Sequence, residues 1–238
     1  MATNKIIQHS YYSPELSQLA KDYDIRFFDL DDVILTPKDQ YYCGTSWINK
    51  NAHKILELFN HLVTCSTNTS YRAVSQQMNE DFAKIHDQHK IYGLTARDII
   101  FSKETYDHYT STGMKFSNLD VEHPLIDKGV IYASKRIADK GTILLDILNN
   151  GILGEVKSII FFDDMLYNLE DVAKALENTD IDFLGIHLTT VSDEQNSTYT
   201  QEELDHIGHT QLEIFGQCGY IPTNNDVMSG NIKDQCMA

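Results

Sequence analysis

The 238 residues carry a net charge of −16, which argues against sequence-independent binding to nucleic acid or to anionic membranes. An apolar share of 42% is enough for a core, and the length allows one large domain or a domain with an insertion. Cys43, Cys65, Cys218 and Cys236 form no CxxC pair, which argues against a zinc knuckle and predicts the reduced thiols of an intracellular protein.

Residues 1–23 read as a polar lead-in without a signal-peptide pattern, with Pro14 opening a short helix. Ile25, Phe27 and Phe28 then form an apolar run with the length of a buried strand. That run breaks into acid at Asp29, Asp31 and Asp32. Residues 33–42 read as a flap. From about 45 to 88 the spacing of Trp47, Ile48, Ile55, Leu56, Leu58, Phe59 and Leu62, and then of Val74, Met78, Phe82 and Ile85, predicts two helices. They form an insertion over the site at 37–88. Lys90–Thr95 reads as a strand and Ala96 to about His108 as a helix. A hairpin of Lys115–Leu119 and Gly129–Ala133 follows.

A helix holding Lys140, Leu144, Leu145, Ile147 and Leu148 stops at Asn149-Asn150-Gly151. Strand 158–162 ends in Asp163 and Asp164. A helix at 165–177, a strand Ile181–Leu188, a polar loop Ser192–Thr200 and a helix Gln201–Gln217 complete the series. Residues 221–238 read as a polar tail. Strands alternating with helices predict a Rossmann-like parallel sheet with helices on both faces, its core at about 20–36 and 89–220. No apolar run approaches the roughly 20 residues of a membrane span.

Two apolar strands ending in carboxylates suggest acids converging on one cation, since such groups repel and protonate without one. Mg²⁺ suits them because it takes one or two carboxylates, keeps waters and accepts a substrate phosphate. Four pieces occur in order: Asp29-Leu30-Asp31-Asp32-Val33, Leu94-Thr95-Ala96-Arg97, Asp139-Lys140-Gly141 and Phe162-Asp163-Asp164. Together they resemble the haloacid dehalogenase (HAD) superfamily of phosphohydrolases over about residues 24–190. Gly93-Leu94-Thr95-Ala96-Arg97, Gly129-Val130-Ile131-Tyr132 and Asn168-Leu169 look like a little-characterised bacterial branch found in intracellular pathogens such as Legionella.

The resemblance implies a HAD-like core with a small helical cap after the first strand. It implies an Mg²⁺-dependent phosphomonoesterase in which Asp29 forms an aspartyl phosphate and Asp31 acts as acid and base. Thr95 and Lys140 hold the phosphoryl group. Asp29, the Asp31 carbonyl, Asp163 and Asp164 hold the metal. The partner is a phosphorylated substrate, and Tyr41, Tyr42 and Trp47 would suit a phosphotyrosine protein if they line the site rather than fill the cap core. A small-metabolite phosphatase, a phosphotransferase and a non-catalytic binding module stay open, as does the oligomeric state. The address expected is cytoplasmic, with delivery into a host cell open.

For other residues a structural role is favoured. Asp32 reads as a turn acid and Arg97 as a structural pair. For Asn168 a hydrogen bond near the metal and a surface helix position both stay open. The pairs His86/His89 and His206/His209 read as solvated helix faces.

Overall fold

The structure, a computed structural model, describes residues 2–51, 61, 63, 65–67 and 69–232. In chain order the described strands are β1 Asn4–His9, β2 Ile25–Phe28, β3 Leu35–Pro37, β4 Tyr71–Ala73, β5 Lys90–Thr95, β6 Ile126–Asp127, β7 Val130–Tyr132, β8 Ser158–Asp163 and β9 Asp182–Leu188. The described α-helices are α1 Pro14–Lys21, α2 Thr45–Asn51, α3 Gln76–Ala83, α4 Ser102–Ser111, α5 Lys140–Asn149, α6 Leu166–Leu176, α7 Thr190–Thr198, α8 Gln201–Cys218 and α9 Asn224–Ser229. They fall into two compact units: residues 1–35 with 73–190, and residues 36–72 with 191–238.

The first unit is a Rossmann-like α/β layer with a seven-stranded sheet in the order β1-β9-β8-β2-β5-β7-β6. All neighbours are parallel except β6 and β7. β2 lies in the middle and is buried along its whole length, which is why Ile25, Phe27 and Phe28 read as a continuous apolar run. From β2 the chain winds outward to β5 and β7, then returns on the other side as β8 and β9. Strand order therefore reverses at β2, and the crevice beyond its carboxyl end is the place where such sheets hold ligands.

Alternation along β2 sends Ile25 and Phe27 to one face, where they meet Ile143, Leu144 and Ile147 of α5 and Leu169, Val172 and Leu176 of α6. The other face carries Phe28, stacked on Phe162 at 4.7 Å and packed on Phe82 of α3 at 4.6 Å. Arg26 is buried on this strand because its guanidinium donates to the carbonyls of Ala20, Lys21 and Asp24.

The second unit is built on Trp47, Tyr41, Tyr42, Leu204 and Ile207. α8 packs there through Gly208, where a Cβ would stand 2.4 Å from Trp47 Cε3. This revises the expected division. Residues 191–220 belong with the insertion and not with the core at 89–220. Conversely α3, expected in the insertion at 37–88, belongs to the first unit. There Asn79 donates to the Ile34 carbonyl and Thr112, and Phe82 fills the space over Phe28.

Other expectations change as well. β1 pairs with β9 where a polar lead-in was expected. Ser192–Thr200 is mostly helix, as α7. The hairpin is β6–β7, not one made with Lys115–Leu119, although its turn through Lys128 and Gly129 is the expected one, both at positive φ. α9 lies within the expected tail. Ile55, Leu56, Leu58, Phe59 and Leu62 lie outside the described residues.

The thiols are not reduced. Cys43 and Cys65 are joined in a disulfide across Cα atoms 5.4 Å apart, and Cys218 is disulfide-bonded too. Their wide spacing hid the pairing, because only folding of the second unit brings them together.

α5 and α6 approach so closely that a Cβ on Gly141 would lie 2.2 Å from the Asp171 carbonyl oxygen. Gly141→Ala should therefore cost about 1–3 kcal/mol. Gly216→Ala, with nothing within 4 Å, should be neutral or slightly stabilising. Urea unfolding of both variants measures the contrast. Reduction of Cys43–Cys65, which closes a loop of 22 in sequence separation, should cost about 2–4 kcal/mol, read as a lower melting temperature in dithiothreitol.

Candidate functional site

Parallel pairing carries β2 and β8 to the same carboxyl edge, with Phe28 opposite Phe162 and the Asp29 N–H donating to the Phe162 carbonyl at 2.8 Å. Asp29 and Asp163 thus leave the sheet side by side. The chain then turns sharply. Ile34 and Leu35 donate to the Leu30 carbonyl, and Asp32 takes φ 58°, a left-handed conformation that Asp tolerates better than most residues. Asp32 is the turn acid expected of it.

Lys140 is the first residue of α5. Asp139 caps that helix by accepting from Thr142 N–H at 2.7 Å. The Lys140 ammonium, 1% exposed, reaches Asp29 Oδ1 at 2.9 Å and Asp163 Oδ2 at 2.7 Å. Burial alone would push its pKa down, but the charges of Asp163 and Asp29 outweigh burial and hold it above the usual ammonium range.

Asp163 is fully buried and held by several donors. Its Oδ1 accepts from Met165 N–H at 2.8 Å and from Asn168 Nδ2 at 3.0 Å, while Oδ2 also takes Asn168 at 3.1 Å. Asn168 is therefore a buried partner of the acid cluster, not a surface position. Next along the chain, Asp164 has a buried Oδ1 with no hydrogen-bond partner. His187 Nε2 donates to the Asp164 carbonyl at 2.9 Å, tying this turn to β9.

One carboxylate oxygen from each of Asp29, Asp163 and Asp164 can be chosen so that all three lie within 4.8 Å of one another. Burial, and then the neighbouring charges of Asp163 and Asp31, push Asp29 up to about 7 against the pull of Lys140. Burial, with the charges of Asp163, Asp32 and Asp29, holds Asp164 well above the carboxylate range. An unpartnered buried oxygen among crowded acids is what a hard cation with oxygen ligands would relieve. These three residues fit a metal ion. Among the described residues this is the only such group, and neither His86/His89 nor His206/His209 forms one.

Asp31 has different surroundings. Arg97 grips it with two bonds, Nη2 to Oδ1 at 2.6 Å and Nε to Oδ2 at 2.8 Å. Burial works against the charge of Asp31, but the guanidinium outweighs it and holds the carboxyl below its ordinary value. Arg97 Nη1 in turn donates to His108 Nδ1 at 3.2 Å. Burial, then the Arg97 charge, push His108 down to about 4, so its neutral ring can accept that bond. Thr95, fully buried at the end of β5 next to β2, accepts from the Arg97 backbone N–H at 3.2 Å.

Of the residues singled out in the sequence, Asp29, Lys140, Asp163 and Asp164 are thus brought together. The Asp31 side chain is turned to Arg97. The aromatic trio Tyr41, Tyr42 and Trp47 is buried core of the second unit. His108 and His187 had no signal in the sequence, since each is recognisable only by its spatial neighbour. A groove of about 510 Å³ opens at the opposite, amino-terminal edge of the sheet. Three of the cations lining it have partners: Arg26 donates to carbonyls, Lys90 to the Leu153 carbonyl and Lys157 pairs with Glu155. The acid cluster is the better site on chemistry.

Residues 24–214 match the family described as protein of unknown function (DUF2608), and the chain belongs to that family. No curated protein and no solved structure matches the chain.

The raised pKa values carry a sign. Protonation of Asp29 and Asp164 stabilises the metal-free fold at low pH, and that contribution is lost as pH rises through the folded values, near 7 for Asp29. A bound cation competes with those protons. The rise in melting temperature on adding millimolar Mg²⁺ should therefore be larger at about pH 8 than at about pH 6. Asp164→Asn should raise the metal-free melting temperature at the higher pH and shrink the Mg²⁺ response. An undiminished response in that variant would remove Asp164 from the metal site.

Proposed function

We propose that the chain is a HAD-type, divalent-cation-dependent phosphomonoester hydrolase working through an aspartyl phosphate on Asp29. The observation that carries this reading is the Lys140 ammonium held between Asp29 and Asp163, beside a buried Asp164 oxygen without a partner. The order of the four motifs in the sequence supports it.

The residues divide the work. Asp29, at the tip of the central strand, attacks phosphorus; the P–O ester bond breaks as the Asp29–P bond forms. Lys140 offers positive charge to the phosphoryl oxygens and offsets the repulsion between Asp29 and an anionic ester. Thr95 offers a hydroxyl at the neighbouring strand end. Asp31 gives a proton to the leaving oxygen, then takes one from the water that cleaves the aspartyl phosphate. Asp29, Asp163, Asp164 and the Asp31 carbonyl would hold Mg²⁺, which supplies Lewis-acid neutralisation of phosphate charge.

The substrate is a phosphomonoester. Burial of Tyr41, Tyr42 and Trp47 in their own core removes the reason to favour phosphotyrosine. The disulfides favour an oxidising compartment over the reducing cytoplasm expected from the sequence. Among the described residues no helix is long and apolar enough to cross a membrane.

Phosphate release from p-nitrophenyl phosphate and a phosphopeptide panel tests the reading, with Mg²⁺ and with EDTA. Turnover should require the metal. Asp29→Asn should lower kcat by at least about 10³-fold. Lys140→Met should lose about 2–4 kcal/mol of transition-state stabilisation. A folded, Mg²⁺-binding protein with no turnover on any ester would make the site a binding module. Transfer of the phosphoryl group to an added alcohol in preference to water would make it a phosphotransferase.

A further inference from the structure

Asp31 and Asp29 are two residues apart and live in opposite surroundings. Asp29 is 7% exposed and contacts Lys140, while Asp31 keeps 30% of its side chain open to water and is gripped by Arg97. The grip is a planar fork, with one nitrogen on each carboxylate oxygen, at 2.6 and 2.8 Å. A fork of this kind matches a carboxylate oxygen for oxygen. It also fixes the carboxylate plane and leaves a lone pair on each oxygen for another donor.

Arg97 is itself held in place. Its Nη1 donates to Thr105 Oγ1 at 3.4 Å and to His108 Nδ1 at 3.2 Å, both on α4, and its backbone N–H donates to Thr95 Oγ1. With 11% of its side chain exposed, it is a fixture of the strand edge and not a mobile surface arginine. A surface ion pair would be worth little and would not need three anchors.

We propose that Arg97 is a positioning residue for the second half of the reaction. It orients Asp31 so that a carboxylate oxygen takes the proton from water as that water attacks the phosphorus of the aspartyl phosphate. In that step the water O–P bond forms and the Asp29–P bond breaks. Asp29 leaves as a carboxylate, and the water proton passes to Asp31. The inference rests on the phosphohydrolase reading above. It also assigns the first half-reaction a lesser dependence on Arg97 when the leaving oxygen needs no proton, as with p-nitrophenolate.

The test separates the two half-reactions. With p-nitrophenyl phosphate, kcat/KM reports phosphorylation of Asp29 and kcat reports the slower step. Arg97→Ala should lower kcat about 10²-fold, with kcat/KM changed by less than about tenfold, so that KM falls with kcat. Acid quenching should trap more hydroxylamine-sensitive phosphoenzyme than in wild type. Arg97→Lys keeps the charge without the fork and should recover only part of the loss, and it reads the same split if the alanine variant folds poorly. Melting temperatures with Mg²⁺ check that each variant is folded.

Equal losses in kcat and kcat/KM without trapped phosphoenzyme would overturn the assignment, as would full recovery by lysine. Asp31→Asn distinguishes the two levels of failure. If it traps phosphoenzyme and the Arg97 variants do not, only the role of Arg97 falls. If no variant and no wild-type protein forms phosphoenzyme or turns over, the phosphohydrolase reading falls and takes this inference with it.

Discussion

One ammonium group organises the carboxyl edge of this sheet. Lys140 Nζ lies 2.9 Å from Asp29 and 2.7 Å from Asp163, and all three side chains are almost wholly removed from water. Charges buried so deeply cost several kcal/mol each unless they are paired and hydrogen-bonded. Their pairing therefore fixes the geometry around them. It requires the β2–β8 register that brings Asp29 beside Asp163. It requires α5 to begin at Lys140, which the Asp139 cap enforces. It also requires the close seating of α5 on α6 that only glycine at 141 allows.

The pairing is not electrically complete. One cation faces three acids, and Asp164 keeps a buried oxygen without a partner. Asp29 and Asp164 are accordingly pushed upward, while Asp31 is drawn downward by Arg97. Neighbouring acids with opposite shifts are the arrangement in which one residue type can serve different chemical roles. The scaffold places Asp29 and Asp31 on the short turn after β2, where strand order reverses, and Asp164 just after the neighbouring β8, so these strand ends meet at one crevice.

The elements legible in the sequence were those whose residues meet the core directly. β2, β5, β8 and β9 are apolar because both faces of the sheet are covered. α5, α6 and α8 show helical spacing because one face of each is buried. Elements at the edge left little trace. β1 carries only Ile6 and Ile7 among polar residues and exists through its register with β9. α7 buries Val191 and little else, so its polar run resembled a loop. The same limit applied to the site. Asp29, Asp31, Thr95, Lys140, Asp163 and Asp164 stood out by motif and order. His108, His187 and the grip of Arg97 on Asp31 did not, because each depends on a partner distant along the chain.

The sequence by itself determined the α/β alternation, the central strand and the acids at its tip, because burial periodicity and local turn chemistry are written over a few residues. Only the tertiary structure decided which acids share Lys140 and which one belongs to Arg97. It also decided that Asn168 supports Asp163, that Cys43 meets Cys65, and that residues 191–238 join residues 36–72 in a second unit. Those outcomes depend on long-range packing and register. No local pattern encodes the distance between side chains that the chain separates by tens of residues.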